Sequence, residues 1–410
     1  MKHVAVIGAG FIGLASAAWL MREGHWVTLF DPTCVAQGAS YGNAGTFAPY
    51  GCIPVNNPSV FGSLPHYLLS ADSPFRLRWG TLPAMAPWLA RFLCSSLPQA
   101  YENSAHALAA LLGQAQVGYT PLLAEPALAQ FVKPRECLYL YSSTASFRAA
   151  EPSLALRREL GVPFEVLSAA GIRTLEPNLA PMFERGVLFT GSWHFSNPSG
   201  FLHTLFDHLA PQGLMLVRQT VRAISPNANG ATLHLEDSST RAFDHVVVAA
   251  GARSRIFAKQ CGDAVPLDTE RGYHIRYPGA ERLISRPVGW AERGFYMTPM
   301  QDGLRVAGTV ELGGFSPTQN PALLELLTTS SKRALPGLEQ PDSHWLGFRP
   351  TLPDGLPVLG VASANPRVVY AFGHQHLGLT LAGISGRIVA DLIAERPSPV
   401  DLTPYRPTRF

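Results

Sequence analysis

Val4-Ala5-Val6-Ile7-Gly8-Ala9-Gly10-Phe11-Ile12-Gly13 joins an apolar run to three glycines spaced G-x-G-x-x-G. The run, rich in β-branched residues, predicts a parallel strand buried on both faces. Leu14–Glu23 is alanine-rich and predicts a helix stopped by Gly24, and Val27–Phe30 predicts a second strand. Strand, glycine turn, helix and strand make a right-handed βαβ unit. In that setting Gly8 permits the tight turn, Gly10 the approach of a pyrophosphate, and Gly13 the close packing of helix on strand. Phe11 and Ile12 begin the helix, whose free N–H groups and positive dipole end suit phosphate. Asp31, followed by Pro32, ends the second strand where a carboxylate accepts hydrogen bonds from ribose hydroxyls. A Rossmann-type dinucleotide site is expected. The pattern alone does not separate FAD from NAD.

Val4 to Met21 carries no charge, as a signal peptide or membrane helix would. The glycines break that run, so neither a secretion signal nor a spanning helix is expected. The chain has 410 residues, 47% apolar and 15% charged, with a net charge of +3. Such a composition excludes disorder and gives no footprint for nucleic acid. The cysteines Cys34, Cys52, Cys94, Cys137 and Cys261 are scattered without a C-x-x-C pair. No metal site or disulfide framework follows, and a reducing cytoplasm is the expected setting.

From Pro32 to Ala71 there is no Asp, Glu, Lys or Arg. An ordinary surface loop of that length carries charge, so this one is expected to run inside, against a large ligand. Residues 75–130 read as helical. Strands are expected at Cys137–Tyr141, Gly186–Thr190, Met215–Val217, Thr232–Leu235, His245–Ala249, Arg305–Thr309 and Val368–Ala371, and a last helix at Leu379–Ala394. The fold class is therefore α/β: a Rossmann-type domain plus a mixed sheet-and-helix domain, with the chain crossing between them. Residues 1–50, 148–185, 198–256 and 345–410 are assigned to the first, and 51–147, 186–197 and 257–344 to the second. Gly373-His374-Gln375-His376-Leu377-Gly378-Leu379-Thr380 sets a second glycine turn before a helix, suited to the electron-rich edge of a reduced flavin. A nicotinamide enzyme needs no such turn, and FAD is preferred over NAD.

Several further segments point the same way. They are Ser40-Tyr41-Gly42-Asn43-Ala44-Gly45 with Thr46, Ala250-Gly251, Glu270-Arg271-Gly272-Tyr273, Arg305–Glu311 and Gly347-Phe348-Arg349-Pro350. In order and spacing they resemble, nearly end to end, the D-amino-acid oxidase-like flavoproteins. Among these the bacterial D-amino acid dehydrogenases of the small-subunit type are nearest, D-hydroxyproline dehydrogenases included. The resemblance implies that residues 40–46 wrap the flavin, that Val221 meets adenine by its backbone, and that Ala250, Gly251, Gly347, Gly373, His374, Leu377, Gly378, Leu379 and Thr380 contact the cofactor. No cysteine follows Pro350 closely, so non-covalent FAD is expected.

The implied reaction is oxidation of a D-amino acid by hydride transfer from Cα to flavin N5. Small neutral or cyclic substrates such as D-proline or hydroxy-D-proline lead the list. Arg349 is the expected partner of the substrate carboxylate, because a planar guanidinium pairs with it bidentately. The alternative for Arg349 is a structural arginine in a proline-rich turn. Tyr296 is implied to hold the same carboxylate, with Tyr50 and Tyr273 lining the pocket and His374 near the flavin. For each of these, plain core packing is the alternative. His194 and His274 are weaker candidates, and Glu292 or Glu311 would serve a basic substrate. Electrons would pass to a quinone or another acceptor. The mixed aromatic and arginine residues from Phe75 to Leu93 would either meet the inner face of the cell membrane peripherally or pack internally. Two alternatives remain: a glycine- or sarcosine-type oxidase releasing hydrogen peroxide, and a non-catalytic flavin-binding subunit.

Overall fold

The computed structural model describes residues 1–58, 61, 73 and 75–410. The latter part of the uncharged stretch, apart from Phe61, thus lies outside the described residues. Six strands form the nucleotide-side sheet, in the order Met215–Val217, Trp26–Phe30, His3–Ile7, His245–Val248, Asn365–Phe372 and Val358–Ala362. The first five run parallel and the last is antiparallel. The central strands are buried on both faces, with Val4, Val6 and Val246–Val248 at 0% exposure, which accounts for their unbroken apolar sequence.

Two helices pack on this sheet, and a third packs on them, through small residues. Gly386 in the last helix, Gly378–Ile393, lies against the first helix, Phe11–Arg22, and a Cβ on it would come within 2.6 Å of the Ala15 carbonyl oxygen. Gly383 of the last helix meets Gly118 of the helix Ala115–Leu123 backbone to backbone. Trp19 Nε1 donates to the Gly118 carbonyl at 3.2 Å.

The second, nine-stranded sheet runs Ser343–Thr351, Asp268–Tyr277, Gly303–Leu312, Phe295–Met300, Val288–Trp290, Cys137–Tyr141, Arg185–Phe189 and Glu165–Ser168, with Phe75–Leu77 added beside Gly303–Leu312. The helix Pro321–Ala334 covers one face, its Leu323 and Leu327 packing with Tyr273, Ile275 and Tyr277. The opposite face holds the uncharged loop. Arg305 Nη1 donates to the carbonyls of Tyr41 at 3.0 Å and Asn43 at 2.9 Å. His274 Nδ1 lies 3.3 Å from the Gly42 oxygen.

Three details bear on the sequence reading. Residues 75–77 are strand, because Phe75 and Leu77 pair with Val310 and Leu312 and pack with Met85 and Trp88. Trp88 is buried and stacks on Phe92 at 5.5 Å, so these two rings turn inward. The domain assignment also shifts: Glu165–Ser168 and Ser343–Thr351 take their hydrogen-bond partners from the larger sheet. The helix Ala115–Leu123 packs instead on the nucleotide side.

Candidate active site

At the N-terminal turn the structure leaves no room for side chains. Gly8 has φ +109°, and a Cβ on Gly13 would overlap the Gly8 carbonyl. A Cβ on Gly10 would sit 2.8 Å from Ser40 Oγ, which accepts from the Phe11 N–H at 3.1 Å. Asp31 fastens the turn: its carboxylate accepts from the Ala9 N–H at 3.0 Å and from the Thr33 N–H at 3.0 Å and hydroxyl at 2.7 Å. Pro32 is exposed beside it. Apart from the Ser40 hydroxyl on the Phe11 N–H, the first helix has no side-chain cap and no acid in its first turn, and the last helix has neither. Two positive helix ends are therefore left for a ligand.

Asn43 Oδ1 accepts from the Gly45 N–H at 2.8 Å, and Gly45 has φ +76°, pressed on Phe195 and Met300. Thr380 Oγ1 accepts from the Ala48 N–H at 3.0 Å and lies 3.5 Å from the Thr46 carbonyl. Tyr119 donates to the Leu379 carbonyl at 2.5 Å. Leu377 is buried where Gly51 has no side chain. Gly373 has φ +81° against Leu352, and Gln375 is also left-handed at φ +48°. His374 Nε2 is 2.8 Å from Ser385 Oγ. Burial lowers the His374 pKa to about 3, so the ring is neutral. Its Nδ1 and Thr46 Oγ1 are buried without a protein partner. Ala44 is half-buried, and Ala250 and Gly251 end the strand His245–Val248, with Gly251 at φ +56°. Val221 opens the strand Val221–Asn227 and is buried. Glycines without room for a Cβ, bare helix ends and orphaned polar atoms together fit a long dinucleotide.

Arg349 belongs to the face of the second sheet that carries His274 and Arg305. It pairs across strands with Glu270, and Gly347 with Gly272. A Cβ on Gly272 would overlap the Arg349 guanidinium, so the glycine makes the seat for that group. Arg349 Nη1 donates to the Thr309 carbonyl at 2.8 Å and Nη2 to the Gly308 carbonyl at 3.4 Å. Thr309 sits at φ +58° in the bulge that turns these carbonyls outward. Part of the fork remains available. Burial lowers the Arg349 pKa and the Glu270 charge raises it, while burial raises that of Glu270. His376 keeps accessible surface, yet close packing and the Arg349 charge lower its pKa to about 4.

Tyr296 lies on the same face. It is directly opposite Ala307, which precedes Gly308. Gly289 lies between Tyr296 and Tyr139, and the absent side chain lets the two rings converge until their hydroxyls meet. Tyr50 packs beneath, stacked on Phe189 at 4.0 Å with its ring 5.7 Å from Tyr139. It is buried and its hydroxyl has no partner. Trp345 stacks on His274 at 5.2 Å and fills the space over Gly42 and Gly347.

Other candidates lie elsewhere. Tyr273 points to the opposite face, where it donates to Glu311 at 2.5 Å, and so is separated from Arg349 by the sheet. The cause is strand alternation, which turns each neighbour of Gly272 away. Arg271 and Glu311 form a buried ion pair on that far face. Glu292 accepts from the Ser142 N–H at 2.7 Å, and His194 is buried in a strand pairing with Thr46 and Lys133. The sequence reading did not single out Glu270, His376, Tyr139, Trp345 or Gly289. Glu270 and His376 stood inside quoted segments, but only the cross-strand register places Glu270 beside Arg349, and only the docking of the Gln375 N–H on the Pro350 carbonyl brings His376 there.

Fold and site together define an oxidoreductase frame built around a dinucleotide cofactor. Residues 3–392 match the family described as DAO, FAD dependent oxidoreductase. The chain belongs to that family, and FAD is its cofactor. It is 35% identical to a protein named D-amino-acid oxidase from Bradyrhizobium diazoefficiens, over 100% of this chain and 99% of the relative. It is 33% identical to one named D-amino acid dehydrogenase from Paramagnetospirillum magneticum, over 99% and 98%. The crystal structure of glycine oxidase from Geobacillus kaustophilus superposes with a TM-score of 0.79 at 22% identity, covering 100% of both chains. At that identity the likeness is one of fold.

Proposed function

We propose that the protein oxidises the Cα–N bond of a small D-amino acid, with Arg349 holding the carboxylate. The observation that carries this reading is the seat of Arg349: a half-buried guanidinium laid over Gly272 and fixed on one side by two carbonyls. A charge-assisted contact of this kind contributes about 1.5–3 kcal/mol. Tyr296, with Tyr139, supplies hydroxyls on the same face. With His376 neutral, the positive charge beside it is that of Arg349, which together with desolvation favours the neutral form of the substrate amine. FAD, when bound, takes up the hydrogen and electron pair that leave Cα. Water then hydrolyses the imine to a 2-oxo acid and ammonia, whereas a ring substrate such as D-proline yields a cyclic imine.

The names of the relatives support a D-amino acid as substrate. The proposed acceptor is a quinone or another electron carrier, reached without a spanning segment; among the described residues no helix is long and apolar enough to cross a membrane. Anaerobic mixing with D- and L-amino acids, followed by oxygen or a quinone, tests the reading. Flavin bleaching by D-amino acids and fast quinone re-oxidation is the expected result. Bleaching by L-amino acids alone would remove the D-specific reading, and fast peroxide formation without quinone reduction would leave a glycine-type oxidase.

A further inference from the structure

The six-membered ring of Trp345 fills a slot between two glycines from different parts of the molecule. A Cβ on Gly347, in the strand that carries Arg349, would overlap Trp345 Cη2. A Cβ on Gly42, in the uncharged loop, would overlap Cε3 and Cζ3 of the same ring. Gly347 pairs across strands with Gly272, the glycine that seats the Arg349 guanidinium. The indole and the guanidinium thus lie over the two members of one glycine pair, and the loop rests on the indole. His274, opposite Trp345 in register, stacks on it at 5.2 Å and 17°, with Nδ1 3.3 Å from the Gly42 oxygen. Arg305 Nη1 donates to the carbonyls on either side, of Tyr41 at 3.0 Å and Asn43 at 2.9 Å. The middle of the loop is therefore tied to the large sheet. Its ends go to the nucleotide side: Ser40 Oγ accepts from the Phe11 N–H at 3.1 Å, and the Ala48 N–H donates to Thr380 Oγ1 at 3.0 Å.

We propose that Trp345 is a positioning residue for the cofactor: its ring is the spacer that sets the height of the loop, and of the flavin beside it, above the sheet face carrying Arg349. The inference rests on the reading that Arg349 holds the substrate carboxylate and that residues 40–46 border the flavin. Close-packed interiors transmit small changes in volume, so a ring held between two backbones fixes their separation. The transfer from Cα is sensitive to that separation, because a misplacement of about 1 Å can cost about 100-fold in rate. Neither Gly42 nor Gly347 has a left-handed φ, so the backbone would accept alanine at both positions and the ring is what excludes it.

Two readouts test the spacer: release of FAD from the holoenzyme on dilution, followed by flavin fluorescence, and anaerobic flavin reduction by a D-amino acid with FAD in excess. Trp345→Phe shortens the ring. It should raise the Kd for FAD about tenfold and lower the limiting rate of flavin reduction about tenfold, with the apparent Kd for the amino acid within about threefold of wild type. Gly42→Ala alone should weaken FAD retention as well, because its methyl meets the ring. In the Trp345→Phe background the same methyl has room and should restore part of both FAD affinity and rate. A lower Tm with FAD affinity and limiting rate unchanged would overturn the inference, leaving Trp345 as core packing. So would a Gly42→Ala effect equal in both backgrounds, or a Trp345→Phe effect confined to the amino-acid Kd. Failure of the Arg349 reading would show separately, as a wild-type amino-acid Kd in Arg349→Lys, and would leave FAD retention to decide the role of the ring.

Discussion

The nucleotide end and the amino-acid face are built by opposite means. At the nucleotide end, side chains are missing: Gly8, Gly10 and Gly13 clear the backbone, and helix ends without caps supply donors. On the amino-acid face, charged and aromatic side chains are present and are fixed by partners from distant strands. Arg349 relies on Gly272, Gly308 and Thr309, and Tyr296 on Gly289 and Tyr139. Damage to the first should therefore remove the cofactor, whereas damage to the second should change catalysis in a protein that stays yellow.

The largest effect is expected from Gly13→Val. Its side chain would collide with the Gly8 carbonyl, so the purified protein should lose its visible flavin absorbance almost entirely. A variant that keeps full FAD content would show that helix and strand can separate without cost to the cofactor. Gly272→Ala probes the other end. The added methyl displaces the Arg349 guanidinium, so kcat/KM should fall about tenfold while flavin content holds, about 1.4 kcal/mol of lost transition-state binding.

The contrast also explains what could be read from the sequence. The nucleotide end was legible because one contiguous stretch, Val4–Gly13, carries strand, turn and helix start. The second glycine turn and the buried strands His245–Val248 and Asn365–Phe372 were legible through their apolar runs. Asp268–Tyr277 and Ser343–Thr351 hide better, because the first holds Asp268, Glu270 and Arg271 in a largely buried strand and the second, half-buried, carries Arg349. No periodicity marks such strands. Tyr273 was misplaced for the same reason: proximity to Gly272 in sequence means opposite faces in a strand.

A smaller, global effect should appear with pH. Burial depresses His274 and His374 to about 3, and His194, His245 and His376 to about 4, against an ordinary value of 6.5. Below about pH 6.5 the unfolded chain therefore binds protons that the native state refuses, so stability declines as pH falls towards 4. Glu270, raised by burial, acts with the opposite sign but is one group against five. Tm measured by scanning fluorimetry should drop steadily from pH 6.5 to 4.5. A flat profile would mean that these histidines charge freely in the native state. The smallest effect is expected of Tyr139→Phe, which leaves the Tyr296 hydroxyl in place. Steady-state kinetics should show KM about threefold higher with FAD content unchanged.

The most direct test of the account is anaerobic stopped-flow reduction of wild type and Arg349→Lys by the best D-amino acid. Lysine keeps the charge but loses the fork that Gly272 and Thr309 hold in place. The account predicts an unchanged oxidised flavin spectrum and an apparent Kd for the amino acid raised about 10- to 100-fold. A variant that bleaches at the wild-type rate and with the wild-type Kd would contradict it, and the carboxylate would have to be held by another group.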